Sequence, residues 1–262
     1  MLDALQSSPI ASLHDIHGTT RIPKPTLLRI LRTLEARGLV SRRLVDGRYR
    51  LSGLGRPVRK HDRFDAVAEA SVPVLHRLCR EVLWPSDLLV PAGDHMERRE
   101  TSRSLSPFPI HPAHEMHRVG QPVNWLLSAV GRAYLAHCPD IERENILRRL
   151  RKSGKADDRL AHESKRLERI FAETRRKGYG IRDTSFAGGF YGGLPHDDGL
   201  AAIAVPLVDR RRVHGAINIL WIKTAFAMEE FAARHLGALQ SAAREIVAAL
   251  PRTANRRRLR EG

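Results

Sequence analysis

The sequence predicts an α+β protein in two parts: a short basic head of helices and one hairpin, and a larger body around a central, mostly antiparallel sheet. Three observations carry this reading. Basic charge gathers at the N-terminal end, two short helical patterns there are followed by an Asp-Gly turn, and two adjacent apolar, β-branched runs lie farther on among charged amphipathic helices. The 262 residues suffice for one short domain and one of about 150 to 180. Hydrophobic residues at 42% against 28% charged give a chain that folds rather than stays disordered.

The head comes first. Ser12 opens a helix to about Thr20, with Leu13 and Ile16 on one side and Asp15 placed for a capping box. Gly18 inside it costs about 1 kcal/mol relative to Ala, so the helix leans on tertiary packing. Arg21 to Pro25 read as a turn, and Pro25 suits the first turn of a second helix because its missing N–H is harmless there. Along that helix Leu27, Ile30, Leu31 and Leu34 gather on one side and Thr26, Arg29, Arg32 and Thr33 on the other. Gly38 is expected in the left-handed position that ends it. Leu39 to Ser41 then read as a strand, Asp46-Gly47 as a hairpin turn, and Tyr49 and Leu51 alternate with Arg48 and Arg50 on the return. This order is a winged helix-turn-helix, in which the second helix reads base edges and the wing meets phosphates or the minor groove.

Charge agrees. Residues 1–60 hold 12 Lys and Arg against 4 Asp and Glu, and residues 252–262 hold 5 against 1, so of the formal +16 only +4 falls on the residues between. A basic head on a near-neutral body suits a polyanion at the head, and nucleic acid is the default. Basic residues that merely raise solubility are the alternative; a sensor with no DNA role does not explain why Arg29, Arg32, Arg42, Arg43 and Arg48 cluster around a helix-turn-helix pattern. The expected DNA-contacting residues are Lys24, Pro25, Thr26, Arg29, Arg32, Arg42, Arg43, Arg48 and Tyr49.

Leu13 to Leu51 resembles the DNA-binding domain of the IclR family of bacterial transcription regulators. The resemblance rests on Leu13, Ile16, Ile22-Pro23-Lys24, Thr26, Arg29, Leu31, Leu34 to Val40 and Gly47 to Leu51. Arg21 stands where that family usually has a glycine and Pro25 where it often has serine. The first helix is reduced to roughly Met1 to Gln6, and completing it would take about ten residues upstream.

In the body, Val67, Val74, Leu75, Leu78 and Val82 follow helical spacing, with a linker helix expected to end near Pro73 and a new helix to begin there. Asp87 to Val90 and Met96 to Thr101 flank Gly93-Asp94 as a strand pair. Leu126 to His137, Ile141 to Leu150 and Ser164 to Lys177 read as helices, the last stopped by Gly178. Ala201 to Val208 and Val213 to Ile222 form the clearest hairpin, and a final helix runs from about Met228 to Leu250. The expected division is residues 1–55 winged helix-turn-helix, 56–72 linker helix, 73–251 effector-binding domain and 252–262 basic tail.

Val72 to Leu250 is similar to the IclR effector-binding domain, a relative of GAF-like sensory folds. Val119-Gly120, Ser128 to Ala136, Gly178-Tyr179-Gly180, Ile203 to Leu207 and Gly215 to Asn218 carry this similarity, and Glu81 to Asp87 resembles a subgroup that activates catabolism of hydroxyphenylpropionate-type aromatic acids. The resemblance implies a homodimer or dimer of dimers on a double-stranded DNA operator. It also implies an effector site at Val123, Ala129, Val130, Leu200, Ala202, Asn218 and Leu220. Small Ala129 and Ala202 with apolar walls and one amide suit an aromatic carboxylic acid better than a sugar or phosphate. Arg103, His111, Arg118 and Asn218 are candidates for the carboxylate.

Sharper sites are not supported. His111, His114 and His117 lack a carboxylate or thiol to complete a metal spacing, so no metal is expected and no cofactor. Gly188 to Gly193 lacks the Lys-Ser/Thr ending of a phosphate loop and reads as a pocket lid or surface loop. Asp197 and Asp198 fit turn chemistry, and the Arg256 to Arg258 tail reads as solvated. Cys79 and Cys138 read as buried small hydrophobes. The rival function, an enzyme using the GAF-like body with the head as a nucleic-acid tether, lacks a Ser-His-Asp set or nucleophile elbow. With no apolar run of about 18 residues, the chain is expected off the membrane and in the cytoplasm.

Overall fold

The computed structural model describes residues 4–5, 10–37, 39–44, 46–51, 64–108, 120–186, 188–191, 194–210 and 212–251. Gly38, His111, His114, His117, Arg118 and the 252–262 tail, named above, lie outside them.

Helix α1 (Leu13–Thr20) starts at a complete capping box: the Ser12 hydroxyl accepts from Asp15 N at 3.1 Å and the Asp15 carboxylate accepts from Ser12 N at 2.8 Å. It ends on Arg21 at φ 59°, a left-handed position where a Cβ is tolerated at a cost. Helix α2 (Lys24–Ala36) carries Pro25 in its first turn and buries Leu27 and Leu31 against Leu5, Ile16, Val40 and Leu51. Strands β1 (Val40–Arg42) and β2 (Tyr49–Leu51) pair antiparallel across a turn in which Gly47 has φ +65° and Asp46 accepts from Arg48 N.

Helix α3 (Asp65–Val82) corrects the expected break, for it passes through Pro73 without interruption. Proline removes one helical hydrogen bond, but Val67, Ala68, Val74, Leu75 and Leu78 are all buried along one side, and that packing holds the rod together. The linker and the first body helix are thus continuous over the described residues.

Strands β3 (Asp87–Ala92), β4 (His95–Thr101), β5 (Pro122–Val123), β6 (Gly180–Ile181), β9 (Leu200–Val208) and β10 (Val213–Ile222) form one antiparallel sheet in the order β5-β4-β3-β10-β9-β6. Helix α4 (Ala129–His137) starts three residues later than expected. Leu126 to Ser128 form a turn fixed by Asn124, whose Oδ1 accepts from Leu126 N and Leu127 N, and Ser128 caps the helix through Gly131 N. A Cβ on Gly131 would lie 2.0 Å from the Trp125 carbonyl, so only glycine allows this approach.

Helices α5 (Asp140–Lys152) and α6 (Ser164–Lys177) follow. The segment expected as a lid or loop is instead a ladder of β7 (Gly188–Tyr191) and β8 (Leu194–Asp197). Helix α7 (Met228–Ala248) closes the fold beside α3. Strand alternation turns Trp221 to α7, where it stacks on Phe231 at 3.7 Å, and turns Asn218 and Leu220 to the opposite face.

Candidate DNA-binding face and ligand pocket

On α2, Lys24, Pro25, Thr26, Arg29 and Arg32 are all exposed, a basic face opposite the buried leucines. On the hairpin, Arg48 is half exposed, and Arg42 is exposed with its Nε donating to Gly47 O at 3.1 Å.

Two expected DNA contacts are not presented to solvent. Tyr49 is buried in the head core, and its backbone exchanges two hydrogen bonds with Ala11, which sets its side of the hairpin inward. Arg43 is buried and paired with Asp46 at 3.2 Å. Both corrections have one cause: alternation assigns residues to two faces, while other segments decide which face is covered.

Beside Arg43 lies a contact that the sequence reading missed. Arg50 on β2 donates to Glu100 on β4 at 2.9 Å, with Arg50 nearly buried and Glu100 wholly so. Glu100 also accepts from Leu44 N, and the Ser104 hydroxyl donates to Leu44 O, so the wing sits on the body. Burial pushes the Glu100 carboxyl up to about 7 despite the attraction of Arg50 and Arg43.

The effector residues expected from the sequence converge more closely. Val123, Ala129, Val130, Ala202, Asn218 and Leu220 all line one cavity of about 40 Å³ between the sheet and the start of α4. Leu200, nearer the end of β9, is buried but outside the lining. The reading missed the charged half of the lining. Asp87 is fully buried; burial opposes its ionisation, but the guanidiniums of Arg103 and Arg98 prevail and hold its carboxyl well below the usual range. Arg103 grips it from Nε at 3.3 Å and Nη2 at 3.1 Å, and Arg98 approaches to 3.2 Å while donating to Gln121. Asn218 Oδ1 accepts from Asp87 N at 2.8 Å, which leaves its amide N–H groups as the donors available to a ligand.

Elsewhere in the lining, Arg182 and Asp198 form a buried two-point ion pair at 2.7 and 3.1 Å. The Arg182 guanidinium also lies over the Phe186 ring at 4.8 Å and donates to Phe186 O. Gly188 permits this arrangement: a Cβ there would meet Asp198 Oδ2 at 2.0 Å. Both cysteines are buried, and desolvation raises both thiols, Cys138 to about 12.

A winged helix-turn-helix with an exposed basic recognition helix, joined to a separate α+β domain built around a lined pocket, defines the class of effector-responsive transcription regulators. Residues 1–44 match the IclR helix-turn-helix domain, and residues 111–248 match the family described as bacterial transcriptional regulator IclR C-terminal. The chain belongs to the IclR family.

Solved structures agree on the fold. An IclR family regulator from Brucella abortus is 19% identical, with 95% of this chain and 90% of that chain covered and a TM-score of 0.53. An IclR regulator from Alicyclobacillus acidocaldarius is 23% identical, with 95% and 94% covered and a TM-score of 0.51. An IclR homologue from Microbacterium hydrocarbonoxydans, solved with 4-hydroxybenzoate, is 20% identical, with 95% and 97% covered and a TM-score of 0.52. Among the described residues no helix is long and apolar enough to cross a membrane.

Proposed function

We propose that this chain is a cytoplasmic, homodimeric regulator that binds a double-stranded DNA operator through α2 and the wing. In this reading an aromatic carboxylic acid, of the hydroxyphenylpropionate kind whose catabolism the resembling subgroup controls, occupies the body pocket. The observation that carries it is the lining itself. Leu89, Leu220, Val130 and small Ala129 and Ala202 make an apolar floor, and arginines stand at its margin. The 4-hydroxybenzoate bound by the Microbacterium homologue supports the same chemistry.

An apolar cavity that admits benzene is about 150 Å³. A ring must therefore widen the present 40 Å³ space, which gives binding a structural consequence. The division into 1–55, 56–72, 73–251 and 252–262 is kept as part of the proposal, with 56–72 and the start of the body sharing the rod α3. A dimer, or each dimer in a dimer of dimers, would present two α2 helices to half-sites one helical turn or a multiple of it apart.

The DNA assignment is tested by two substitutions that fail differently. Arg29→Ala, on the exposed face of α2, should lose about 1–3 kcal/mol chiefly on the operator, whereas Arg48→Ala should weaken operator and random DNA alike and reduce the salt slope by about one unit. Binding titrations at several salt concentrations distinguish them. Equal losses on both DNAs for Arg29→Ala would remove it from base reading.

A further inference from the structure

The pocket has two polar ends, and their chemistry differs. At one end are Asp87 on β3 and Arg103 just after β4; at the other are Arg182 just after β6 and Asp198 just before β9. Strand β10 lies between them in the sheet, so the ends are on the order of 10 Å apart or more at about 4.8 Å per strand. Leu220, Ala202 and Val130 line the interval.

Charge tells the ends apart, because Asp87 is shared by two guanidiniums, those of Arg103 and Arg98, whereas Asp198 pairs with the single guanidinium of Arg182. A guanidinium has five N–H donors. Arg103 commits Nε and Nη2 to Asp87, and its Nη1 makes no hydrogen bond among the described residues. That end retains cationic donors for an anion. Arg182 is matched point for point by Asp198 and also donates to Phe186 O, so that end is charge-neutral. Asp198 Oδ1 already accepts from Arg182 and Leu200 N, while among the described residues Oδ2 accepts only from Arg182 and keeps an acceptor site. A second carboxylate there would face Asp198 across a guanidinium whose charge is already matched; a neutral hydroxyl would donate to Oδ2.

We infer that the pocket reads its ligand at both ends, Arg103 taking the carboxylate and Asp198 accepting a hydroxyl from the far side of the ring, so that Asp198 determines specificity. This rests on the aromatic-acid reading and adds to it which group each end selects.

Calorimetry tests it with 3-phenylpropanoate, 3-(4-hydroxyphenyl)propanoate and 3-(4-carboxyphenyl)propanoate. The unsubstituted chain should bind the hydroxylated acid about tenfold or more tighter than the other two, since a buried acceptor built for a hydroxyl rejects analogues without it. Asp198→Asn leaves Arg182 without its counter-charge, so the dicarboxylate should gain about tenfold or more and overtake the hydroxylated acid. A merely structural role for Asp198 would shift all three ligands together. Equal affinity of the unsubstituted chain for the hydroxylated and unhydroxylated acids overturns the inference without any variant, as does an unchanged ranking in a folded Asp198→Asn. Binding of none of the three overturns the aromatic-acid reading itself.

Discussion

Arg50→Met is expected to loosen the wing from the body by about 3–5 kcal/mol at pH 8, because it strands a wholly buried carboxylate. Methionine keeps much of the arginine stem's volume but removes the donor 2.9 Å from Glu100, and Arg43, already engaged with Asp46, is the cation that remains near. The penalty should depend on pH in a definite direction. Glu100 has its pKa raised from 4.5 to about 7 in the folded chain, so between those values the native state keeps a proton that the unfolded state has released. Stability from this group is therefore full below about pH 4.5 and falls as pH rises through 7.

At pH 5 Glu100 is protonated and Arg50→Met should cost much less than at pH 8. Glu100→Gln, which mimics the protonated form, should flatten the profile over that interval. Thermal unfolding of the three chains at pH 5, 6, 7 and 8 checks this. A penalty for Arg50→Met that is equal at pH 5 and 8 would contradict it.

Ala202→Phe should abolish ligand binding and with it any further change of operator affinity on adding the acid, whatever basal operator affinity the filled cavity sets. Ala202 lies on β9 opposite Leu220 of β10 and lines the cavity. A phenyl group there would occupy the path of the effector ring, and the surrounding α4 residues Ala129 and Val130 could yield only part of the space. The head keeps its own core of Leu5, Ile16, Leu27, Leu31, Val40 and Leu51, so it should stay folded and able to bind DNA. Calorimetry with 3-(4-hydroxyphenyl)propanoate and operator titration on the same sample separate the two effects. Ligand affinity unchanged by the substitution would place the effector elsewhere.

What the sequence showed plainly was local. Ser12 and Asp15 cap each other three residues apart, Asp46-Gly47 makes its own turn, and the β9-β10 hairpin follows from adjacent apolar runs. Pro73 misled because its helix-breaking cost of about 3 kcal/mol is a local quantity, whereas the burial of Val74, Leu75 and Leu78 that offsets it depends on α7 and the sheet.

The charged half of the pocket was hidden for the same reason. Asp87 meets Arg103, and Arg182 meets Asp198, only after the sheet has formed, and no spacing in the chain announces either pair. Tyr49 was placed on a strand correctly, and Arg43 follows β1 in the turn, but both were assigned to solvent, because Ala11 and the body wall cover a face that local sequence leaves open. The Gly-rich run at 188–191 pairs through its backbone, which needs no apolar alternation to reveal it.

The contact between the two halves is also visible only in three dimensions. Arg98, in the pocket lining, and Glu100, under the wing, lie on one strand on either side of a register shift between Leu88 and Leu89. Widening the pocket around Arg98 would press on the strand that holds the head.

Control of DNA binding by an aromatic acid is the central claim, and selection of DNA from a random pool with and without 3-(4-hydroxyphenyl)propanoate tests it most directly. The account predicts enrichment of one sequence with two-fold related half-sites, and a change in its affinity when the acid is present. Enrichment of no sequence, or an enriched site whose affinity the acid leaves unchanged, would contradict it.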